Sequence, residues 1–146
     1  MTLQGEYIPS PSKRSRDQVE LFETSNGREG NDLNGMPVII VTCKGAKSGA
    51  IRKVPLMRVE HDGEYLAVAS KGGAPTHPVW YYNLKAHPDV QLQDRDGKWD
   101  MTATELPEGD ERSRWWDRAV EAYPPYADYQ KKTDRLIPLF LLRKKS

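Results

Sequence analysis

The sequence predicts an α+β fold in which about six mainly antiparallel strands form a small barrel or curled sheet. Two observations lead to this class. Apolar runs rich in β-branched residues are joined by tight turns such as His61-Asp62-Gly63-Glu64, and strands joined in this way pair antiparallel. Helical patterns fall between the hairpins rather than after every strand, which indicates helices gathered on one side of the sheet.

The chain is expected to divide at residue 35. Residues 1–35 are polar, with proline, glycine and asparagine throughout, and are expected to form a flexible or helical N-terminal extension. Val19, Leu21 and Phe22 predict one short amphipathic helix within it, at 16–24. Residues 36–146 then form the barrel domain.

Six strands are expected in order along that domain. The run 37–43 is continuously apolar, 51–60 alternates, and 65–70 follows the tight turn. Strands around 90–92 and 99–101 flank the turn Asp94-Arg95-Asp96-Gly97. The closing strand is 136–142, where Pro138 favours an edge or end position because proline lacks a backbone donor.

Three helices are expected between these strands. Pro78 begins the first, at 78–86, and His87-Pro88 ends it. Trp115 and Ala119 recur at helical spacing within 107–123, and Pro124-Pro125 ends that helix. A short helical piece follows at 126–133.

Composition excludes several classes of function. The chain has 146 residues and a net charge of +1, so no excess of positive charge favours nucleic acid. Its only cysteine, Cys43, excludes an intramolecular disulfide and fits a reducing, cytoplasmic compartment. Three histidines are scattered along the chain, so no metal site is expected. No stretch is long and apolar enough to span a bilayer.

Two lysine-bearing glycine turns are the candidate ligand site. Lys44-Gly45-Ala46-Lys47-Ser48-Gly49, followed by Arg52, comes directly after one strand, and Ser70-Lys71-Gly72-Gly73 after another. Glycine turns expose backbone donors, and neighbouring cations favour an anion. Either turn alone is more typical of an ordinary hairpin tip. Together they indicate a phosphorylated ligand.

Three tyrosines near the C-terminus are the candidate substrate site. Tyr126 and Tyr129 are three residues apart and share a face of a helix, and Tyr123 precedes them. A tyrosine offers an apolar plate and a hydroxyl donor, which suits an electron-poor aromatic ring. The alternative is that they are half-buried packing aromatics.

An ordered series of motifs carries a resemblance to a known family. The motifs are Thr42-Cys43-Lys44-Gly45-Ala46-Lys47-Ser48-Gly49, Val68-Ala69-Ser70-Lys71-Gly72-Gly73-Ala74, His77-Pro78-Val79-Trp80-Tyr81-Tyr82-Asn83-Leu84, Tyr123-Pro124-Pro125-Tyr126-Ala127-Asp128-Tyr129-Gln130 and Thr133-Asp134-Arg135-Leu136-Ile137-Pro138. With them the chain resembles the deazaflavin-dependent nitroreductase family, a branch of the flavin/deazaflavin oxidoreductases. The resemblance implies a split β-barrel, like that of the proteins that bind flavin mononucleotide. It also implies hydride transfer from reduced coenzyme F420 to a quinone or related electron-poor acceptor.

The resemblance also implies roles for individual residues. Lys47, Ser48 and Arg52 match positions that hold the coenzyme's phosphate. The other matches to the coenzyme site are Val68, Ser70, Lys71, Val79 and Trp80, although Trp80 is by default a structural residue. The matches to catalytic or substrate-side positions are Ser70, Tyr123, Tyr126 and Tyr129. Two positions depart from the family pattern: Ala46 replaces an arginine of the phosphate loop, and Met57 replaces a tyrosine on the substrate side.

Several alternatives stay open at this stage. The barrel could bind flavin mononucleotide instead, or the protein could be a non-catalytic deazaflavin carrier. The basic cluster of Lys13, Arg14 and Arg16 could be a disordered tail, could contact the coenzyme's oligoglutamate tail, or could give weak peripheral contact with the inner face of the membrane. The oligomeric state is left open.

Overall fold

The computed structural model describes residue 3 and residues 5–33 and 35–145. Its helices are α1 (Lys13–Thr24), α2 (Val79–Ala86), α3 (Asp110–Ala122) and α4 (Pro125–Lys131), with a short 3-10 turn at Lys71–Gly73. Its strands are β1 (Asp32–Leu33), β2 (Met36–Lys44), β3 (Ile51–Met57), β4 (Glu60–His61), β5 (Glu64–Val68), β6 (Asp89–Asp94), β7 (Gly97–Glu105) and β8 (Leu139–Lys144). Within these described residues, no helix has the length and apolar character needed to cross a membrane.

The strands form one curled antiparallel sheet. The order is β1-β2-β6-β7-β8-β5-β4, and β3 also pairs with β2. The segment that follows β3 makes hydrogen bonds with two strands that are not neighbours in this order, β2 and β5. Its Arg58 N–H donates to the carbonyl of Pro37 in β2, at 2.9 Å, and its Val59 carbonyl accepts from the β5 residue Leu66, also at 2.9 Å. The predicted α+β class and the barrel-like sheet are confirmed.

Both faces of the sheet are buried, which explains the continuously apolar run in β2. Side chains alternate between the faces of a strand. Val38 and Ile40 pack in one core cluster, while Ile39, Val41 and Cys43 pack in a second. The first cluster lies beneath helices, and the second fills the inside of the curled sheet.

The helices are not all on one side, so that expectation is wrong for α2. Helices α1, α3 and α4 cover the first cluster, through Phe22, Trp115 and Tyr126 among others. Helix α2 instead places Leu84 and Trp80 against the second cluster. It therefore covers the opposite face of the sheet from the other three helices, and its first residue, Val79, is exposed.

Element boundaries differ from the predicted ones in two informative places. The predicted strand 51–60 is divided after Met57, because the next residues change pairing partner from β2 to β5. Strand β8 is central rather than at an edge, since it pairs with both β5 and β7. Pro138 directly precedes it, which is the end position that proline tolerates.

The N-terminal segment packs against the barrel. Ile51 in β3 donates its N–H to the carbonyl of Glu6 at 2.7 Å and accepts from Ile8 at 3.0 Å. Phe22 of α1 is fully buried in the first core cluster. The division of the chain at residue 35 stays a prediction, while the helix expected within the extension is present at Lys13–Thr24.

Candidate active site

The first basic turn connects β2 to β3 and is closed by its own hydrogen bonds. Gly45 donates its N–H to the Ala50 carbonyl at 2.7 Å and accepts from Gly49 at 3.0 Å. The Ser48 hydroxyl accepts from the Ala50 N–H at 3.1 Å. Gly49 has a φ of 70°, in the left-handed region that glycine adopts without strain. These bonds shape the turn while Lys47 stays exposed at its tip.

Asn83 of α2 ties the same turn to the helix by a hydrogen bond. Its side-chain oxygen accepts a hydrogen bond from the Ala46 N–H at 2.9 Å, and its amide group lies 3.9 Å from the Cys43 sulfur. Burial raises the pKa of the Cys43 thiol to about 11, so the thiol is protonated at neutral pH and is a packing group. Sequence reasoning assigned no role to Asn83, although a polar residue inside a mostly apolar helix was a detectable signal.

A cleft of about 600 Å³ opens beside this turn, and we call it the turn cleft. Its lining residues are Gly45, Ala46, Lys47, Ser48, Arg52, Val79, Tyr82 and Asn83. No carboxylate is among them, and neither Lys47 nor Arg52 forms an ion pair with any residue in the described ranges. The side chain of Val79 is 75% exposed on the wall. Two unpaired cations beside an exposed apolar surface suit a ligand with an anionic end and a planar apolar body.

The second basic turn is held in a strained conformation by Arg135. Lys71, Gly72 and Gly73 all have positive φ, at 48°, 64° and 82°. The Arg135 guanidinium donates to the carbonyls of Ala69 at 3.1 Å, Ser70 at 2.7 Å and Ala74 at 2.8 Å. This fixes the direction of the Ser70 and Lys71 side chains, since the backbone on both sides of them is tied to one planar group. Arg135 lay in a quoted motif, but sequence reasoning gave it no role.

A second cleft, of about 360 Å³, has this turn in its lining, and we call it the tyrosine cleft. Its lining residues include Val68, Ser70, Lys71, Gly72, Pro78, Trp80, Tyr123, Tyr126 and Tyr129. The opposite walls are formed by Val54, Pro55, Leu56 and Met57 of β3, by Leu33 and Val38, and by Ser12, Arg14, Ser15 and Gln18 at the start of α1. Sequence reasoning placed Arg14 in a basic cluster that could contact the coenzyme's tail, and it gave Ser12, Ser15 and Gln18 no role.

The three tyrosines form one aromatic cluster in this cleft. The ring centres of Tyr123 and Tyr126 are 5.0 Å apart, and the hydroxyls of Tyr123 and Tyr129 are 3.3 Å apart. The hydrogen bond to Tyr123 raises the pKa of Tyr129, and burial raises the pKa of Tyr126. The hydroxyls of Tyr126 and Tyr129 therefore keep their protons near neutral pH, and a protonated hydroxyl can donate a hydrogen bond.

Ser70 and Tyr126 are polar side chains that the fold buries without giving them a partner. They are 7% and 5% exposed, and neither hydroxyl makes a hydrogen bond within residues 5–33 and 35–145. No buried side-chain oxygen or nitrogen in that part of the chain is both sealed from solvent and unpaired. The two hydroxyls consequently keep their access through the cleft that they line.

The structure sorts the predicted site residues into the two clefts. Lys47, Ser48, Arg52 and Val79 line the turn cleft. Val68, Ser70, Lys71, Trp80 and the three tyrosines line the tyrosine cleft. Two consecutive residues at the start of α2 line different clefts, Val79 the turn cleft and Trp80 the tyrosine cleft. Trp80 also packs against Phe140, with ring centres 6.2 Å apart, so it has a structural role as well.

An antiparallel split barrel with one cationic cleft and one aromatic cleft is the arrangement expected of a protein that binds an anionic ligand with a planar apolar body. Comparison with known families makes this specific. Residues 14–144 match the family described as F420H(2)-dependent quinone reductase, and the chain belongs to that family. The enzyme class is therefore that of the oxidoreductases that use reduced coenzyme F420.

Individual relatives agree with this assignment. An F420H(2)-dependent quinone reductase of Mycobacterium tuberculosis is 34% identical over 128 residues, 86% of each chain. A solved structure described as the F420-H2 dependent reductase FDR-A is 61% identical, with a TM-score of 0.70 over 73% of this chain and 94% of its own. A second, described as a domain-swapped dimer, is 54% identical, with a TM-score of 0.73 over 88% and 96%. An FAD-binding protein of Mesorhizobium loti shares only the fold, at 19% identity, a TM-score of 0.56 and coverage of 75% and 79%.

These findings confirm the predicted family, the oxidoreductase class and the coenzyme. They favour coenzyme F420 over flavin mononucleotide and an enzyme over a carrier. The geometry agrees with the coenzyme, since a polyanionic ligand needs cations without competing carboxylates, and the turn cleft supplies Lys47 and Arg52. The roles of the individual site residues stay predictions.

Proposed function

We propose that the protein reduces quinones in the tyrosine cleft, with the anionic end of coenzyme F420 held in the turn cleft. The observation that carries this proposal is the pair of buried, unpartnered hydroxyls of Ser70 and Tyr126 in one cleft. Both hydroxyls are accessible only through the cleft that they line, so a ligand that fills the cleft can pair with them in place of water. When bound, the coenzyme supplies the hydride.

The side chains of this chain bind and orient the two reactants. Lys47 and Arg52 would hold the phosphate, and Val79 would contact the coenzyme's apolar body. In the tyrosine cleft, Tyr123 and Tyr129 pack against the flat acceptor. The Tyr126 hydroxyl, which its burial keeps protonated, donates a hydrogen bond to the acceptor oxygen that gains negative charge. The apolar wall of β3 excludes water from the reacting atoms.

Met57 shapes the acceptor preference. Its side chain lines the tyrosine cleft where the family pattern has a tyrosine. Methionine has no hydroxyl that could donate a hydrogen bond to the acceptor, and its side chain forms a flexible apolar wall. We expect menadione-like quinones to be good acceptors and bulky nitro-imidazoles to be poor ones.

The cellular placement that fits best is cytoplasmic, with little membrane contact. The free thiol of Cys43 fits a reducing compartment. Of the basic cluster near the N-terminus, Lys13 pairs with Asp17 at 2.6 Å, and Arg16 donates to the carbonyls of Ser10 and Pro11. One remaining cation, Arg14, contributes little affinity for an anionic membrane surface.

The test is a pair of substitutions at Tyr126. Tyr126→Phe keeps the ring and removes the hydroxyl, so kcat/KM for menadione should fall by about three- to tenfold, the worth of one hydrogen bond. Tyr126→Ala also removes the aromatic ring and should lower kcat/KM for menadione further. The dissociation constant of coenzyme F420, measured by titration, should change little in both variants.

Tyr7→Phe is the matched control, because Tyr7 is an exposed tyrosine outside both clefts. Quinone turnover equal to wild type in both folded Tyr126 variants would mean that the tyrosines only pack and that the substrate site lies elsewhere. Comparable affinities of the wild-type protein for flavin mononucleotide and coenzyme F420 would contradict the coenzyme assignment.

A further inference from the structure

The first turn of α1 forms one wall of the tyrosine cleft. Ser12, the N-cap residue of this helix, and Arg14 and Ser15 line the cleft. The amino end of a helix carries partial positive charge, which acidic residues in the first turn commonly offset. Helix α1 has no acidic residue in its first turn and places Lys13 and Arg14 there instead.

Arg14 is the member of the basic cluster that pairs with no residue in the described part of the chain. The charges of Lys13 and Arg16 are used within the segment, by Asp17 and by two backbone carbonyls. No hydrogen bond, ion pair or ring contact joins Arg14 to any residue in the ranges 5–33 and 35–145. Its charge is therefore uncompensated at the wall of the cleft.

The charge of the whole cleft is one-sided. The chain has 22 basic and 21 acidic residues, yet the cleft is lined by two cations, Arg14 and Lys71, and by no carboxylate. Such a cleft favours an anionic ligand group. A second observation points to a ligand in the same cleft: the Ser70 and Tyr126 side chains that line it are 7% and 5% exposed, and neither hydroxyl makes a hydrogen bond with a described residue.

We propose that Arg14 and the amino end of α1 form a subsite for an anionic substituent of the acceptor. The acceptor class is then an aromatic quinone that carries a carboxylate or sulfonate. Its ring lies among the tyrosines and the apolar β3 wall, and its anionic group reaches α1. This inference rests on the proposed function of the tyrosine cleft, and Arg14 acts as a specificity-determining residue for that reaction.

The experiment uses two matched pairs of probes with wild-type protein and Arg14→Gln. The binding pair is naphthalene-2-sulfonate and the neutral naphthalene-2-sulfonamide, titrated against protein saturated with oxidised coenzyme. The turnover pair is 1,4-naphthoquinone-2-sulfonate and menadione. In Arg14→Gln the preference for the anionic member of each pair should fall by about three- to tenfold, since the contact is charge-assisted but partly exposed to solvent. Added salt should reduce the wild-type preference.

Lys13→Gln is the matched control. It removes the same charge one residue earlier on the same helix turn, from a side chain that is exposed and outside the cleft lining. Its ratios should equal those of the wild type. An equal loss in Lys13→Gln would replace the subsite by a general electrostatic effect and overturn the proposal.

The remaining outcomes separate the subsite from its premise. If Arg14→Gln weakens coenzyme binding while both ratios stay unchanged, Arg14 holds the coenzyme's oligoglutamate tail and the subsite is wrong. If the wild type reduces menadione without preferring either sulfonate, the subsite fails and the proposed function stands. If the wild type reduces no quinone of either kind, the proposed function fails, and the subsite fails with it.

Discussion

Lys47 is a cation that the fold leaves free for a ligand. It is exposed at the tip of the first basic turn, forms no ion pair with a described residue, and faces a cleft without carboxylates. A charge-assisted contact with a phosphate contributes about 1.5–3 kcal/mol. Because Ala46 stands where the family pattern has an arginine, few other cations share this task. Lys47→Ala should weaken coenzyme F420 binding by roughly tenfold or more, measured by direct titration.

The control for this substitution is Lys98→Ala, at an exposed lysine in β7 that lines neither cleft. It removes the same charge and should leave the dissociation constant near the wild-type value. An unchanged constant in folded Lys47→Ala would reduce the first basic turn to an ordinary hairpin tip.

Single residues were predictable from the sequence where their neighbours along the chain determine their role. Lys47 and Ser48 belong to one turn, so local motif recognition was enough to place them together. Arg135 was not predictable in this way, because its hydrogen-bond acceptors include carbonyls of Ala69 and Ser70, 66 and 65 residues away in sequence. The cleft-facing position of Arg14 likewise depends on how α1 packs against the barrel, and periodicity does not determine that.

At the scale of elements, the 3-10 turn at Lys71–Gly73 is positioned by its contact with α4. Gly73 has a φ of 82°, and a Cβ built on it would lie 2.7 Å from the Tyr129 carbonyl oxygen. Gly72 has a φ of 64° with nothing within 4 Å. Both alanine variants carry left-handed strain, of about 1–3 kcal/mol, but only Gly73→Ala must also displace α4. Gly73→Ala should therefore be the less stable variant in a denaturant titration, and its kcat/KM for menadione should fall more.

Gly72→Ala is the matched control for the overlap with α4. Equal midpoints and equal turnover in the two variants would show that the contact between the turn and α4 does not hold Tyr129 in place. Both variants carry left-handed backbone strain, so the difference in their stability reports the steric overlap between the new Cβ at residue 73 and α4.

Strands and turns were predictable because a tight turn requires particular residue types at particular positions in the sequence. The Asp62-Gly63 turn has φ values of 53° and 80°, the left-handed pair that Asp-Gly favours between antiparallel strands. The division of the predicted strand 51–60 was not predictable. Arg58 turns toward Pro37 in β2 and Val59 toward Leu66 in β5, so the break depends on where two distant strands lie.

At the scale of the whole molecule, the two buried faces of the sheet determine where the site forms. An apolar run such as 37–43 predicts a strand covered on both sides, but its pattern is the same whichever helix covers each face. Helix α2 lies apart from the other helices because its Leu84 packs in the second core cluster, whereas the other helices pack on the first. That placement brings Val79 into the lining of the turn cleft and its neighbour Trp80 into the lining of the tyrosine cleft.

The N-terminal helix belongs to the same core as the barrel, and Phe22 tests this directly. Phe22 is fully buried in the cluster that also contains Trp115 and Tyr126, while its neighbour Leu21 is 44% exposed. Phe22→Ala should lower the free energy of unfolding by about 3–5 kcal/mol, because it leaves a cavity in a packed core. Tryptophan fluorescence and coenzyme binding should be lost together in a single transition at lower denaturant. Leu21→Ala, the control, should change stability far less. If Phe22→Ala were as mild as Leu21→Ala, residues 1–35 would be an extension that the barrel does not need.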